Sequence, residues 1–513
     1  SDNNTTNYKT QLNGRLQYET TIAQNHNIGA MFVYSEEYWH TRSTGASRND
    51  RIHPSTSEIN AALTNVQSNS GSSASEGLRS YIGRMNYSAY DKYLLEFSFR
   101  VDGSSKFIKG HQYGFFPTVA VGWRFTEEEF LKKYLSSWLS SGKLRASWGK
   151  LGDNSGVDRF EQLETLTAMN YMSSDVVKGF VNKKMINKDL SWEVSTDINV
   201  GLDLGFLNNR LRTEIDFYNR LRTGMNRPSQ MSIHLTGAYS APRANIGDLL
   251  NRGLELNLTW KDKIGNVEYS VNLNGAYNRT VLKEWNEFLS RGWVYLDMPY
   301  HFLYVYENNG IAQTWQDIYN NTPQGLSPGD VIRKDLNGDG IIDGKDKKAY
   351  PNIQRDRPTT TYGITLQAAW KGFDISMLFN GGLGRKDFWL TDFNNTAFAD
   401  RRYASTWDHW TEPWSLENRG GEWPRLGTST DRSDNSYWLY NMNYLRMKNI
   451  MLGYNLPKKL LSKISMTNLR IYASAENLFT VTQYPGLDPE KKNSARDLYP
   501  INRSFSIGLN VSF

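Results

Sequence analysis

Arg503-Ser-Phe-Ser-Ile-Gly-Leu-Asn-Val-Ser-Phe513 closes the sequence and decides the reading of everything before it. Side chains of a strand alternate between its faces, so Phe505, Ile507, Leu509, Val511 and Phe513 share one face and Ser504, Ser506, Gly508, Asn510 and Ser512 the other. The first face needs lipid or a core, and the second needs water. A transmembrane barrel wall requires this division, with an apolar band toward hydrocarbon, a polar lumen and no unpaired edge in lipid. A soluble sandwich strand has the same alternation, so the upstream pattern has to arbitrate.

That pattern repeats. Alternation marks about fifteen candidate strands of roughly ten to thirteen residues, the length a tilted strand needs to cross a bilayer. They fall near 9–20, 26–38, 78–90, 92–103, 113–125, 142–150, 194–206, 210–222, 252–262, 266–279, 359–371, 372–382, 443–455, 467–478 and 503–513. Tyr93, Leu95, Phe97, Phe99 and Val101 oppose Lys92, Glu96, Ser98, Arg100 and Asp102, while Ile198, Val200, Leu202 and Leu204 oppose Asp197, Asn199, Gly201 and Asp203. Charges on one face of such strands are costly in lipid and predict a wet lumen. Short turns at Asp91-Lys92, Leu207–Arg210, Asp262–Asn266 and Lys371-Gly372 alternate with long polar loops, and in outer-membrane barrels the short turns face the periplasm. On that rule the first and last strands both descend, and the carboxy terminus is periplasmic. An odd count cannot close a single-chain bacterial barrel, so earlier strands must come from elsewhere and residue 1 is expected in an extracellular loop.

Composition agrees. The 513 residues are 39% hydrophobic, with mean hydropathy −0.62 and no apolar run long enough for a membrane helix. Barrel strands give only a weak hydropathy signal, because each apolar residue is followed by a polar one. Aromatic residues make up 13%, including 30 Tyr and 16 Trp, which suits interfacial girdles. There is no Cys, which excludes disulfides, thiolate metal sites and thiol nucleophiles. The net charge of +6 is spread among 53 acidic residues instead of forming a basic patch, so no nucleic-acid partner is expected. No cationic-then-apolar segment opens the sequence, which reads as processed or as starting inside a longer chain. Seven scattered His, with neither a His-Glu-x-x-His nor a Gly-x-Ser-x-Gly pattern, give no sign of an enzyme, and no catalytic residues are assigned. Asp197 and Asp203 read as lumen solvation, and Gly381-Gly-Leu-Gly384 as a bend.

Loops beyond the usual four to six or so residues are typically functional or disordered. The segment 66–77, Val-Gln-Ser-Asn-Ser-Gly-Ser-Ser-Ala-Ser-Glu-Gly, is low-complexity and expected to be mobile. The loop at 280–358 contains Asp335-Leu-Asn-Gly-Asp-Gly-Ile-Ile-Asp-Gly-Lys-Asp346. It sets oxygen donors Asp335, Asn337, Asp339, Asp343 and Asp346 at positions 1, 3, 5, 9 and 12 of a calcium loop, with the Ile341 carbonyl at 7 and Gly340 at 6. Asp346 stands where Glu is usual, and flanking helices are lacking. Binding of structural Ca2+ is expected, against a bland reading as a self-bonded turn. The loop at 383–442 carries Trp407, Trp410, Trp414 and Trp423, with Trp389 and Trp438 nearby. These are candidate stacking platforms for sugar faces, and the competing reading packs them against the loop itself or a lid.

With the barrel inferred, residues along nearly the whole chain resemble the carboxy-terminal portion of SusC-like TonB-dependent outer-membrane transporters. The carrying segments include Ser80-Tyr-Ile-Gly-Arg-Met-Asn-Tyr87, Gly114-Phe-Phe-Pro-Thr-Val-Ala-Val-Gly-Trp123, Leu144-Arg-Ala-Ser-Trp-Gly149, Asn251-Arg-Gly-Leu-Glu255, Tyr444-Leu-Arg-Met-Lys-Asn449, Leu452-Gly-Tyr-Asn-Leu-Pro457 and Glu476-Asn-Leu-Phe479. The resemblance implies an all-β, antiparallel 22-stranded barrel filled by a plug, a size known for plugged transporters, of which residues 1–513 supply the carboxy-terminal strands. It further implies active import of an oligosaccharide, or alternatively a peptide, under a SusD-like surface lipoprotein, with energy from TonB acting on the amino-terminal plug portion. From a different class, a passive or structural barrel is the alternative.

Overall fold

The computed structural model describes residues 1–49, 53, 55, 58–63, 67–135, 138–172, 176–182, 184–232, 234, 241–287, 295–299, 302–388, 412–425, 435–461, 466–490 and 501–512. One antiparallel sheet of fifteen strands, hydrogen-bonded in strict chain order, dominates it. These are β1 (Asp2–Ile22), β2 (His26–Arg48), β3 (Gln67–Ala89), β4 (Tyr93–Ser104), β5 (Tyr113–Trp123), β6 (Leu139–Asp153), β7 (Glu193–Phe206) and β8 (Leu211–Thr223). They continue as β9 (Asp248–Ile264), β10 (Val267–Glu284), β11 (Thr360–Trp370), β12 (Phe373–Leu383), β13 (Tyr444–Asn455), β14 (Asn468–Thr482) and β15 (Ser504–Ser512). Every strand read from alternation is present.

Register fixes the faces, because residues directly opposite on paired strands point the same way. Tyr93, Leu95 and Phe97 lie opposite Trp123, Val121 and Val119, and Leu202 lies opposite Leu144. The outer face is thus apolar across strands, and Leu95, Phe97, Ile198 and Val200 are exposed on it. The inner face is wet and charged. Aromatic contacts gather at the short-turn rim, where Trp138 stacks on Phe206, Phe373 meets Tyr454 and Trp260 Nε1 donates to the Tyr269 hydroxyl.

The short turns take the left-handed backbone that tight hairpins demand. Tyr90 and Asp91, Leu207 to Asn209, and Lys371-Gly372 all have positive φ. Gly384 turns the chain at φ +79°, directly after β12 ends at Leu383, so the expected bend is at Gly384 alone, while Gly381 and Gly382 are still paired in β12.

Two expectations are corrected. Residues 67–77 are not an irregular loop; they form the upper part of β3, paired with Tyr38–Arg48 of β2. Residue 66 lies outside the described residues. The serines are matched by hydrogen-bonding partners, such as Ser47 with Ser68 and the Tyr38 hydroxyl and His40 imidazole with Ser75, so a composition poor in strand formers is held by its neighbour. The amino terminus is also in the sheet, since β1 starts at Asp2 and pairs with Ala46. Strands of 21 and 23 residues run roughly 70 Å at about 3.3 Å per residue, so β1 to β3 rise well past the hydrocarbon as a polar ladder.

β1 and β15 are the sheet's two edges, and they are not paired with each other among the described residues. In an antiparallel series of fifteen strands the first and last point the same way, so the antiparallel pattern cannot close between them. Buried apolar cores lie instead at the long-loop end, where loop residues pack on one another and on strand ends. One gathers Phe107, Phe116, Val157, Leu190 and Trp192. The other gathers Leu303, Val305, Phe388, Trp438, Met442 and Tyr484.

Candidate functional site

The inner wall is built by arginines that reach across the sheet. Arg145 on β6 spans β7, where its Nε donates to Asp203 at 3.0 Å, and reaches Asp216 on β8 through Nη1 and Nη2 at 2.7 and 2.6 Å. The strand between allows this because Gly201 has no side chain; a Cβ there would stand 2.5 Å from Arg145 Cζ. The arrangement recurs at Arg470 on β14, which bonds Asp374 on β12 at 2.6 Å across Gly453 of β13. Arg220 pairs with Asp197, and Arg222 with Glu193 and Asp153.

Beside this ladder, Glu214, Asp216, Glu255, Asn257 and Asn274 line a recess of about 250 Å³. Asn257 Nδ2 donates to Glu214 at 3.2 Å, and Asn272 Nδ2 donates to Asn257 Oδ1 at 2.7 Å. A larger concavity of about 760 Å³ near the short-turn end is lined by Glu19, Asn27, Asn86, Glu96, Lys143 and Arg145 among others. Carboxylates beside amides supply acceptors and donors close together, the equipment that holds a hydroxyl- or amide-rich solute.

The long-loop rim is locked by a second charge network. Arg446 donates to Asp488 Oδ1 at 2.8 Å and to Thr480 at 2.9 Å, and it also meets Glu490. Arg385, 2% exposed, donates to the carbonyls of Arg355, Pro489 and Glu490 at 3.0–3.1 Å. Burial pushes the Glu490 carboxyl up, yet the Tyr444 hydroxyl at 2.7 Å, the Arg446 charge and the Asn380 amide outweigh it and hold it below the usual glutamate range. The sequence reading missed this network; its only signal was the polar turn Leu487-Asp-Pro-Glu490 between two strands.

The predicted tryptophans divide. Trp407 and Trp410, with Trp389, lie outside the described residues. Trp414 is 7% exposed, its Nε1 donating to Gln313 at 2.9 Å and its backbone N–H to the Trp423 carbonyl at 2.7 Å. Trp423 stacks on Trp438 at 6.5 Å, which ties it to the buried loop core. Beside them Arg425 grips Asp330 at 2.8 and 3.2 Å.

The acidic loop folds around its own N–H groups. Asp335 accepts from Gly338 and Gly340, Asn337 from Asp339, Asp339 from Ile341, and Asp343 from Lys345. Asp346, fully buried, accepts from Leu336 and Asp343. Burial opposes ionisation of Asp335, but the Gly340 and Gly338 N–H groups hold its carboxyl below the usual range. Among the described residues no three His, Asp or Glu side chains are gathered as a ready metal cluster.

A family profile described as "TonB dependent receptor-like, beta-barrel" matches residues 1–478. TonB-dependent receptor P3 of Formosa agariphila is 30% identical over 476 residues, covering 85% of this chain and 45% of the relative. TonB-dependent receptor SusC of Bacteroides thetaiotaomicron is 30% identical over 456 residues, covering 85% of this chain and 44% of SusC. The chain thus spans about half the length of the curated relatives it matches. Among solved structures, the RagAB peptide transporter superposes with TM-score 0.84 at 23% identity, over 100% of this chain and 56% of that one.

Proposed function

Because the chain belongs to the TonB dependent receptor-like β-barrel family, we propose that it forms a large part of the wall and mouth of an energised outer-membrane importer of oligosaccharides. The short turns are assigned to the periplasm and the long loops to the cell exterior. An amino-terminal portion bearing the plug and the TonB contact completes the barrel, and a SusD-like lipoprotein covers the loop rim. The observation that carries the solute class is the carboxylate–amide recess of Glu214, Glu255, Asn257 and Asn274, whose donors and acceptors match sugar hydroxyls. A peptide importer is the second reading, favoured by the fold likeness to the RagAB peptide transporter and by the Arg–Asp ladder. Uptake of labelled oligosaccharide and oligopeptide pools by cells with and without the natural protein separates them. Oligosaccharide uptake that is lost on uncoupling and on Glu214→Ala/Asn257→Ala substitution supports the first reading. Peptide uptake alone overturns it, and uptake indifferent to uncoupling makes the barrel passive.

Asp335, Asn337, Asp339, Asp343 and Asp346, with the Ile341 carbonyl, are proposed to hold a structural Ca2+. The donors are the oxygen ligands Ca2+ takes, but Asp335 Oδ2 already accepts from Gly340 and Thr322 and Asp346 Oδ1 from Leu336 and Asn337, so binding requires the loop to exchange some of these bonds for the ion. Of the four loop tryptophans, Trp407, Trp410 and the half-buried Trp423 remain proposed for sugar stacking, while buried Trp414 braces the loop. Calcium titration followed by the melting temperature checks the first assignment, with a rise expected that Asp335→Asn/Asp339→Asn abolishes.

A further inference from the structure

The connection from β5 to β6 is not a simple turn. It contains a helix, α1 (Glu129–Leu135), and each of its ends is fastened to the lipid-facing side of the wall. Glu128 accepts from the Tyr93 hydroxyl at 2.6 Å, Trp123 Nε1 at 3.2 Å and Lys92 Nζ at 3.4 Å, and Tyr93 and Trp123 are opposite one another on the outer face. Phe125 lies over Gly142, whose register partner is the outward Leu204; a Cβ on Gly142 would stand 2.3 Å from the Phe125 ring. Thr126 Oγ1 accepts the Gly142 N–H at 2.9 Å. At the far end Trp138 stacks on outward Phe206 at 5.8 Å and 21°.

Between these fastenings Leu131 and Leu135 are half-buried, whereas Phe130 and Tyr134, one turn apart, are 64% and 75% exposed. A seven-residue helix is too short to persist alone in water, so the fastenings hold it, and they hold it with two aromatic rings uncovered. The stripe is continuous with the rim aromatics Trp123 and Trp138, on the same side of the wall. Lys132 and Lys133 flank it. Aromatic rings settle at the boundary of hydrocarbon and water, and lysines extend from there to headgroups.

We propose that α1 is an interfacial anchor, with Phe130 and Tyr134 seated in the headgroup layer of the leaflet at the short-turn rim and Lys132 and Lys133 meeting lipid phosphates. The occupant is lipid and not a protein because the aromatic fastenings Tyr93, Trp123 and Phe206 lie on the outer wall, in continuity with its apolar band. The anchor fixes the height of the barrel in the bilayer, and it depends neither on the transported solute nor on which leaflet the rim meets.

These 513 residues contain no Cys, so one substitution places one label in this portion, and any Cys elsewhere in the natural protein is first replaced by Ser. Tyr134→Cys in the natural protein is labelled with an environment-sensitive fluorophore and reconstituted in phosphatidylethanolamine–phosphatidylglycerol vesicles. Lipids carrying a nitroxide near the headgroup are expected to quench it at least about twofold more than aqueous iodide does, with the reverse order for a label at Lys263→Cys, a water-exposed position at the end of β9 beside the Gly265-Asn266 turn. A Tyr134 label quenched by iodide like the Lys263 label overturns the proposal. So does a label shielded from both quenchers, which would report a protein partner or a second copy. If the Tyr134 variant fails to fold, the same measurement at Phe130→Cys decides.

Discussion

At the residue scale the wall depends on what is missing as much as on what is present. Gly201 and Gly453 sit under guanidinium groups that bridge two strands, so Gly201→Val places carbon where Arg145 passes on its way to Asp216. Overpacking of this kind costs about 1–3 kcal/mol, and the expected outcome is a lower unfolding temperature in detergent, with Gly201→Ala milder than Gly201→Val. The segments Leu144–Gly149 and Leu452–Pro457 were legible as family motifs, but the reason for Arg145 and Gly453 was not, because the partner carboxylates lie 71 and 79 residues away in sequence from them. Long-range pairing across an intervening strand leaves no local pattern.

Arg446 is the other residue on which much rests. Arg446→Met leaves Asp488 buried without its cation, a loss of about 3–5 kcal/mol for breaking such a pair from one side. Hydrogen exchange at 483–490 is expected to accelerate at least roughly a hundredfold, which follows from that free energy if the segment opens locally. The same lock is sensitive to acid. Glu490 has its carboxyl depressed in the folded protein, so its contribution is present above the ordinary glutamate range and is lost as pH falls through the lower folded value. Proteolysis of the 483–490 segment is expected to rise on the acid side of that range in the native protein and to lose this step in Glu490→Gln.

At the element scale strand existence was the most legible feature and strand length the least. Alternation marks where a strand crosses lipid, since only there must one face be apolar. Above the bilayer both faces meet water and the pattern stops, which is why Ser68 to Gly77 looked like a loop while it pairs residue for residue with β2. Its hold comes from a neighbour that a single-strand reading does not see. Amide exchange in Ser68–Gly77 is accordingly expected to be slow, comparable to that in the opposite stretch of β2; exchange as fast as in an unstructured chain would refute the pairing. The turns of the acidic loop were legible, because Asp335, Asn337, Asp339 and Asp343 each bond an N–H two to five residues on, whereas the reach of buried Asp346 back to Leu336 was not. Helix α1 was not legible, since its seven residues are shaped by outer-wall contacts.

At the scale of the whole molecule, the direction of the strands carries the account. Fifteen antiparallel strands in chain order leave β1 and β15 as edges that run the same way, each with a row of unpaired backbone groups that lipid does not tolerate. The odd number was legible in the sequence because short and long connections alternate along most of the chain, the β5–β6 connection that holds α1 being a long one on the short-turn side. What fills the lumen and what covers the loops were not readable, because both are properties of surfaces left open. The direct test is a high-resolution structure of the natural protein extracted gently from outer membranes. The account predicts that β1 and β15 each pair with a strand lying outside these 513 residues, in a barrel of even strand number with a plug against the Arg145 wall and a lipoprotein over the loop rim. A barrel in which β1 pairs with β15 around an open pore would contradict it.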